Sequence, residues 1–371
     1  MKHVYNILVA LCVLLFIVSC KKAVPPHGGT AHHYVLDMKE DNTECMFEDM
    51  FCDIELIPLE NKRECMVGNC MKVMVEGEHI YLWDMNGKDA LLSFNMDGTF
   101  HCQIGDVGHS KGEYSYMENF TVDRDGDTIA LLDYNVLKLY NVDGEFIGLK
   151  ELEKNWENML LSTRGLVLCT HYRGFGVDHL IQILDLHSDD MKVFLPVDST
   201  AISYPPYSEN VIQQVGDTVC FFDFLSSTFY LYDVDNPDDA ESIHLHTGSM
   251  INPEIAKKSD PLGKIVNDLV ESFVYTGNEI LGLMSKDGQS KSFEVDVKKK
   301  KARCFNFRNG YCGFDCYHDG WFYTVWPSSH LLDIYQYSRV KGDMYEKILE
   351  LVEKGLSEQD NVVIMRARMK R

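Results

Sequence analysis

Two consecutive stretches of this chain carry one pattern twice, and no other feature restricts its fold so tightly. Val75 to Phe100 and Val122 to Phe146 each hold an apolar strand ending in Asp84 or Asp133, then a second strand ending in Phe94 or Tyr140. Each closes with an Asp-Gly pair, Asp97-Gly98 or Asp143-Gly144, followed shortly by a Phe. Asp84 and Asp133 lie 49 residues apart and the Asp-Gly pairs 46, because Asn86-Gly87-Lys88 lengthens one loop. A strand-only unit recurring at about this period is the mark of a β-propeller.

Looser copies follow. Leu166 to Thr170 with Leu180 to Leu186 reads as a third unit, and Val219 to Asp223 with Phe229 to Asp233 as a fourth. Phe273 to Met284 with Lys291 to Val297 reads as a fifth, and Trp321 to Trp326 with Leu331 to Tyr337 as a sixth. Their anchor strands begin about 48 residues apart, so six units fit and no seventh is visible. Two strands remain outside the units, Asp53 to Leu59 and Val362 to Met369; joined in one blade they would close the ring and leave no free edge at the seam. Val340, Met344, Ile348, Val352 and Leu356 recur about every fourth residue, which predicts an amphipathic helix before the closing strand. Asn252-Pro253 and Asp260-Pro261 pair cap residues with proline and predict a helical insertion between the fourth and fifth blades, a candidate lid. The expected fold is all-β: a six-bladed β-propeller of four-stranded antiparallel blades over 51–371, with short helical insertions and a C-terminal helix.

The first residues are read differently. Lys2, the unbroken apolar run Ile7 to Val18 and the small Ser19 make residues 1–19 an export signal too short to span a bilayer comfortably. Residues 20–50 read as a tether, since Lys21 to Thr43 is polar, carries Pro25-Pro26 and Gly28-Gly29 and shows no sustained periodicity. No later segment is long and apolar enough for a membrane helix. The formal charge of −22 argues against nucleic acid as the principal partner. Beyond Cys20 ten cysteines stand at irregular spacing, several inside apolar strand patterns; Cys312, Cys316 and His318 share a strand face, yet four residues of strand span roughly 13 Å, too far for one metal or a mutual disulfide.

Between the first two units lies Ile104 to Tyr114, IGDVGHSKGEY. With the repeat, the terminal NVVIMRARMK and Ile17-Val18-Ser19-Cys20, it resembles the six-bladed β-propeller lipoproteins common in Bacteroidota, relatives of NHL-repeat propellers. That family reads I-G-x-x-G-x-G-P-G-E-Y here; Ile104, Gly105, Gly108, Gly112, Glu113 and Tyr114 match, while Ser110 and Lys111 replace Gly-Pro. The resemblance implies cleavage before Cys20, lipid on its sulfur and a place in the cell envelope, at the outer membrane. Lys21-Lys22 after the lipidated Cys leans towards the periplasmic side.

In such a blade, loops between second and third strands share one face of the ring with the loops between blades. That face collects Asp84, Asp133, Asp223, His171-Tyr172-Arg173, the loop with His330, Tyr204 and Tyr207, and the inter-blade residues Gly112, Glu113 and Tyr114. Aromatics, an Arg, a His and carboxylates around a channel mouth suit a polar ligand, so His171, Tyr172, Arg173, Tyr204, Tyr207, Asp133, Asp223 and His330 are the candidate ligand contacts. The aspartates also suit plain turn capping, and Glu113 with Tyr114 suits pinning the loop. No Gly-x-Ser-x-Gly, His-Glu-x-x-His or phosphate loop is present, so no catalytic residue is named. The expectation is a membrane-anchored binding module for a glycan, peptide or envelope protein, without cofactor or metal. The alternatives are a Ca2+-dependent hydrolase or lyase of the lactonase-like propeller type, and a scaffold subunit of an outer-membrane uptake complex.

Overall fold

The six anchor strands take the places the repeat assigns them, each the second strand of its blade's four antiparallel strands. The computed structural model describes residues 30–85, 88–153, 156–162, 165–169, 179–186, 188, 190–196, 210–224, 226–246, 268–286, 289–308, 313–338 and 341–370. Strands β1 (Thr30–Asp37) and β2 (Lys39–Cys45), the single-turn helix α1 (Phe47–Met50) and β3 (Phe51–Pro58) come first. Blade one is β4 (Cys70–Glu76), β5 (His79–Asp84), β6 (Ala90–Asn95) and β7 (Phe100–Ile104). The short parallel pair β8 (Asp106–Val107) and β9 (Glu113–Tyr114) leads to blade two, β10 (Asn119–Val122), β11 (Thr128–Asp133), β12 (Val136–Asn141) and β13 (Phe146–Glu151). Blade three is β14 (Asn158–Ser162), β15 (Gly165–Cys169), β16 (His179–Leu184) and β17 (Met191–Pro196), and blade four is β18 (Ile212–Val215), β19 (Thr218–Asp223), β20 (Thr228–Asp233) and β21 (Ala240–His246). Blade five is β22 (Asp268–Tyr275), β23 (Glu279–Lys286), β24 (Gln289–Asp296) and β25 (Lys301–Phe307). In blade six β26 (Cys316–His318) and β27 (Trp321–Trp326) are followed by helices α2 (Ser328–Tyr337) and α3 (Asp343–Glu353), and β28 (Val363–Met369) then pairs with both β27 and β3.

The two ends of the chain therefore close the ring together, β28 supplying the third strand of blade six and β3 the fourth. Leu331 to Tyr337, read as a strand of the sixth unit, is instead helical within α2. It begins after Pro327, which is suited to a helix start, and buries Leu331 while leaving His330 outside. The third strand of that blade comes from the far C-terminus, so the local stretch has no sheet position to fill. The fifth unit also divides, because Thr276 to Asn278 make a turn with Gly277 at φ +92°.

Within residues 20–50, read from composition as a tether, Thr30–Asp37 and Lys39–Cys45 are strands. β1 lies parallel on the outer edge of β21 and β2 parallel on β25, making blades four and five five-stranded. Such edge pairing is made by main-chain groups, so it asks for little apolar periodicity; Leu36 and Met38 sink into the core beside blade four.

The repeated Asp-Gly has a physical cause. Gly98 and Gly144 sit at φ +88° and +80° in the turn between third and fourth strands, a conformation that favours glycine. A Cβ at Gly98 would stand 2.4 Å from the Pro58 carbonyl oxygen, and one at Gly144 2.4 Å from that of Gln103, so each turn abuts the outer strand of the preceding blade. Apolar side chains fill the spaces between blades: Trp83, Leu91 and Tyr114 meet Phe120, Leu131 and Tyr140 between blades one and two. Between blades four and five Phe229 and Phe273 stand with ring centres 5.0 Å apart. Each fully buried chain of this size contributes roughly 1.5–3 kcal/mol relative to exposure. The first strands of successive blades line the middle of the ring and leave a channel there.

Candidate functional site

The channel widens at both ends. At the turns between first and second strands it opens into a cavity of about 710 Å³. Towards the inter-blade loops lies a smaller one of about 310 Å³, and Lys72 and Asn210 border both.

The wall between them is polar and tied from blade to blade. Lys72, 6% exposed, donates to Asn119 Oδ1 at 2.7 Å and to the Phe120 carbonyl at 2.8 Å. Asn119 Nδ2 in turn donates to Asn158 Oδ1 at 3.0 Å and the Glu157 carbonyl at 3.1 Å, so one chain of bonds joins blades one to three. On the far side Gln213 accepts from the Tyr275 N–H at 2.8 Å and donates to the Phe273 carbonyl at 2.7 Å, joining blades four and five. Buried polar groups partnered in this way fix the relative setting of the blades.

The larger mouth gathers ionisable groups. Glu76, at the end of β4, meets His318 of β26 with Oε2 and Nδ1 3.3 Å apart; both side chains are about one-fifth exposed, 23% and 19%. Asp319 lies 3.8 Å from His318 Nε2. Burial pushes the Glu76 carboxyl up, with the His318 contact opposing it. The bond to Glu76 raises the His318 imidazole, against desolvation. Arg124, in the turn of blade two, donates to the Gly216 carbonyl of blade four at 3.4 Å and lies 3.9 Å from Asp217. A carboxylate, an imidazole and a guanidinium thus face one open, half-polar cavity, an arrangement suited to hydrogen-bonding a polar ligand.

At the opposite mouth the recurrent aspartates hold loops. Asp84 accepts from the N–H groups of Gly68 at 2.7 Å, Asn69 at 3.0 Å and Lys88 at 2.9 Å. Asp133 accepts from the Ser115 N–H at 3.1 Å, the Ser115 hydroxyl at 3.0 Å and the Tyr116 N–H at 3.2 Å, and pairs with Lys138 Nζ at 3.0 Å. Burial raises the Asp133 carboxyl, but Lys138 and Ser115 together outweigh it and hold it below the usual range. Asp223 accepts from the Ser226 hydroxyl at 2.7 Å. Asp315, which no repeat signal marks, accepts from Thr324 at 2.9 Å and the Val325 N–H at 2.8 Å, and burial pushes its carboxyl up. The side chains of all four thus serve the fold, each tying a connection to a strand.

The inter-blade loop is pinned in the same way. The Glu113 carboxylate accepts from the Ser110 N–H at 2.9 Å, its carbonyl accepts from Lys138, and the Gly112 carbonyl accepts from the Tyr140 hydroxyl at 3.3 Å. Tyr114 is buried, its hydroxyl oxygen 3.4 Å from the Leu91 N–H. His330 stands exposed on α2, its ring 5.6 Å from that of Trp326. His171, Tyr172, Arg173, Tyr204 and Tyr207 lie outside the described residues, as do Cys312 and the stretch from Asn252 to Leu262 expected to form helices. Among the described residues no three His, Cys, Asp or Glu side chains converge as a metal site, and no helix is long and apolar enough to cross a membrane.

The repeat also held a signal for the larger mouth. Glu76-Gly77-Glu78 and Arg124-Asp125-Gly126 are charged turns with a glycine at φ +57° and +79°, and the first turn together with Arg124 borders the channel. His318 belongs to the same turn level of blade six; its partner became visible only with the ring closed.

Residues 33–368 match a single family model, described as Domain of unknown function (DUF4934). The chain belongs to the DUF4934 family. Among curated proteins none matches it. In fold it is similar to an exported protein of Bacteroides fragilis NCTC 9343, with a TM-score of 0.76 and 18% identity over 91% of this chain and 100% of that one. It is also similar to a DUF4221 family member of Bacteroides vulgatus, with a TM-score of 0.50 and 9% identity over 86% and 98% of the two chains. At these identities the likeness is one of architecture.

Proposed function

We propose that this DUF4934 propeller is an extracytoplasmic binding module, lipid-anchored at Cys20 on the periplasmic side of the outer membrane, that takes a glycan or peptide in the wider mouth of its channel. The observation that carries the binding reading is the open cavity of about 710 Å³ bordered by the Glu76–His318 pair and Arg124. Such a cavity holds several sugar rings or residues and offers both hydrogen-bond donors and acceptors without unfolding any tie. The location rests on the export signal, the Ile17 to Cys20 motif and the likeness to a protein described as exported. A Ca2+-dependent hydrolase would draw on aspartates such as Asp133 and Asp223, whose carboxylates are occupied with loop and turn contacts, and this favours binding.

Glycan and peptide arrays probed with the wild type and with Glu76→Gln, His318→Asn, His171→Ala and Arg173→Ala proteins test this placement. Loss of a ligand in the first two variants, with retention in the last two, is expected. Loss confined to the His171 and Arg173 variants would put the site at the opposite mouth and refute the assignment. Membrane fractionation of a Cys20→Ala protein checks the anchor: the variant should appear in the soluble fraction, and continued sedimentation with membranes would remove Cys20 as its attachment.

A further inference from the structure

The outer edges of the blades are not treated alike. On blades four and five the chain adds a strand of its own to the last strand of the sheet, both times in parallel, β1 on β21 and β2 on β25. Under that cover β21 buries Ala240, Ser242, Ile243 and Leu245, and β25 buries Ala302, Cys304, Phe305 and Phe307. Blade two has the same last strand, β13, at the edge of its sheet; among the described residues no strand pairs with its outer side. None of its residues is buried, and two aliphatic side chains at alternate positions stand in solvent, Ile147 at 56% and Leu149 at 40% exposure.

Soluble proteins ordinarily blunt such an edge with proline, lysine or distortion. β13 has a register shift at its start and one lysine, the half-buried Lys150, but Gly148 to Glu151 pair regularly with β12, the strand contains no proline, and no residue in it has a positive φ. An extended, regular edge bearing alternate aliphatic groups is a template for an added strand, whose main-chain bonds supply affinity and whose side chains supply selectivity. The charges around it define that strand. Asp143 and Glu145 stand exposed at one end of β13, Glu151 and Glu153 at the other. A second copy of this chain would set the same four carboxylates against them, on top of a formal charge of −22 per copy, and the strands β1 and β2 are already placed on other blades.

We propose that the outer edge of β13 is an interaction surface that accepts, as a fifth strand of blade two, an extended segment of a partner protein with alternating aliphatic residues flanked by Lys or Arg. Ile147 and Leu149 pack against the aliphatic residues, and the carboxylates at the two ends of β13 receive the basic flanks. The surface lies at the rim of the ring and does not depend on the channel's ligand.

The test uses the full chain and a fluorescent peptide of alternating Val and Thr with Lys-Lys at each end. Saturable binding is expected by fluorescence anisotropy, with slowed amide exchange in β13. Affinity should fall at least about tenfold for Ile147→Lys/Leu149→Lys protein and for the same peptide ended in Glu-Glu. Both substituted residues are solvent-exposed, and unchanged circular dichroism and Tm of the variant confirm that its fold is kept. Equal binding by the variant, protection outside β13, or no binding of the Lys-ended peptide by wild type each overturns the proposal. Concentration-dependent dimerisation abolished by the same variant would assign the edge to a second copy and overturn it as well.

Discussion

Replacing Asp133 by Ala asks directly what the recurrent aspartates do. Asp133 and Lys138 have side chains 8% and 10% exposed and 3.0 Å apart, and the same carboxylate receives two N–H groups and a hydroxyl from Ser115 and Tyr116. The Ala variant strands the Lys138 ammonium, which keeps only its bond to the Glu113 carbonyl, and frees the loop that leads into blade two. Removing one partner of a buried pair typically costs about 3–5 kcal/mol, and water entering the vacated loop reduces this to about 2–4 kcal/mol. Unfolding entropy of roughly 2.1 cal/mol/K per residue amounts to about 0.7 kcal/mol/K for a domain of this size, so Tm should fall by about 3–6 °C. Differential scanning calorimetry at neutral pH measures it. The double variant Asp133→Ala/Lys138→Met removes the stranded charge and should recover about 1–2 kcal/mol of the loss. A single variant within about 1 °C of wild type would refute the assignment of Asp133 to loop capping, and so would a double variant less stable than the two single changes added together.

Two further changes probe the turn and the mouth. Gly144→Ala forces a Cβ to within 2.4 Å of the Gln103 carbonyl oxygen at φ +80° and should destabilise by about 2–4 kcal/mol in chemical denaturation. Gly148→Ala, with nothing within 4 Å, should change stability by no more than about 0.5 kcal/mol, and equal losses in the two variants would contradict the packing argument. The mouth predicts a pH dependence. Folded His318 and folded Glu76 both hold their protons above the ordinary 6.5 and 4.5. Each contribution is therefore complete below its unfolded value and is lost as pH rises through the folded one, so stability from this pair declines from about pH 4.5 to somewhat above 6.5. Thermal melts across that range should show a shallower pH slope for Glu76→Gln/His318→Asn than for wild type; identical slopes would dissociate the pair from the effect.

The legible part of the fold is the part that repeats. Second and third strands such as β5 with β6 and β11 with β12 are buried on both faces between blades, so their apolar runs survive in sequence as a signature. The Asp-Gly turns survive too, because Gly98 and Gly144 meet both a backbone and a steric requirement. The first strands were harder to see: they line a polar channel, where Lys72, Asn119 and Gln213 break the apolar pattern in order to bond across blades. Leu331 to Tyr337 shows the converse, a helix whose apolar residues imitate a strand when the partner strand lies far along the chain.

The sequence by itself determined the number of blades and the face to which Asp84, Asp133 and Asp223 belong, since both follow from local periodicity and a fixed repeat length, whereas the places that the two terminal strands take at the seam rest on pairings between opposite ends of the chain. Tertiary structure alone decided the rest. The strands β1 and β2 exist because outer blade edges present unpaired main-chain groups, a demand that leaves almost no mark on side chains. Glu76 and His318 meet because closing the ring sets blade one beside blade six, a contact between residues near opposite ends of the chain that no local pattern encodes.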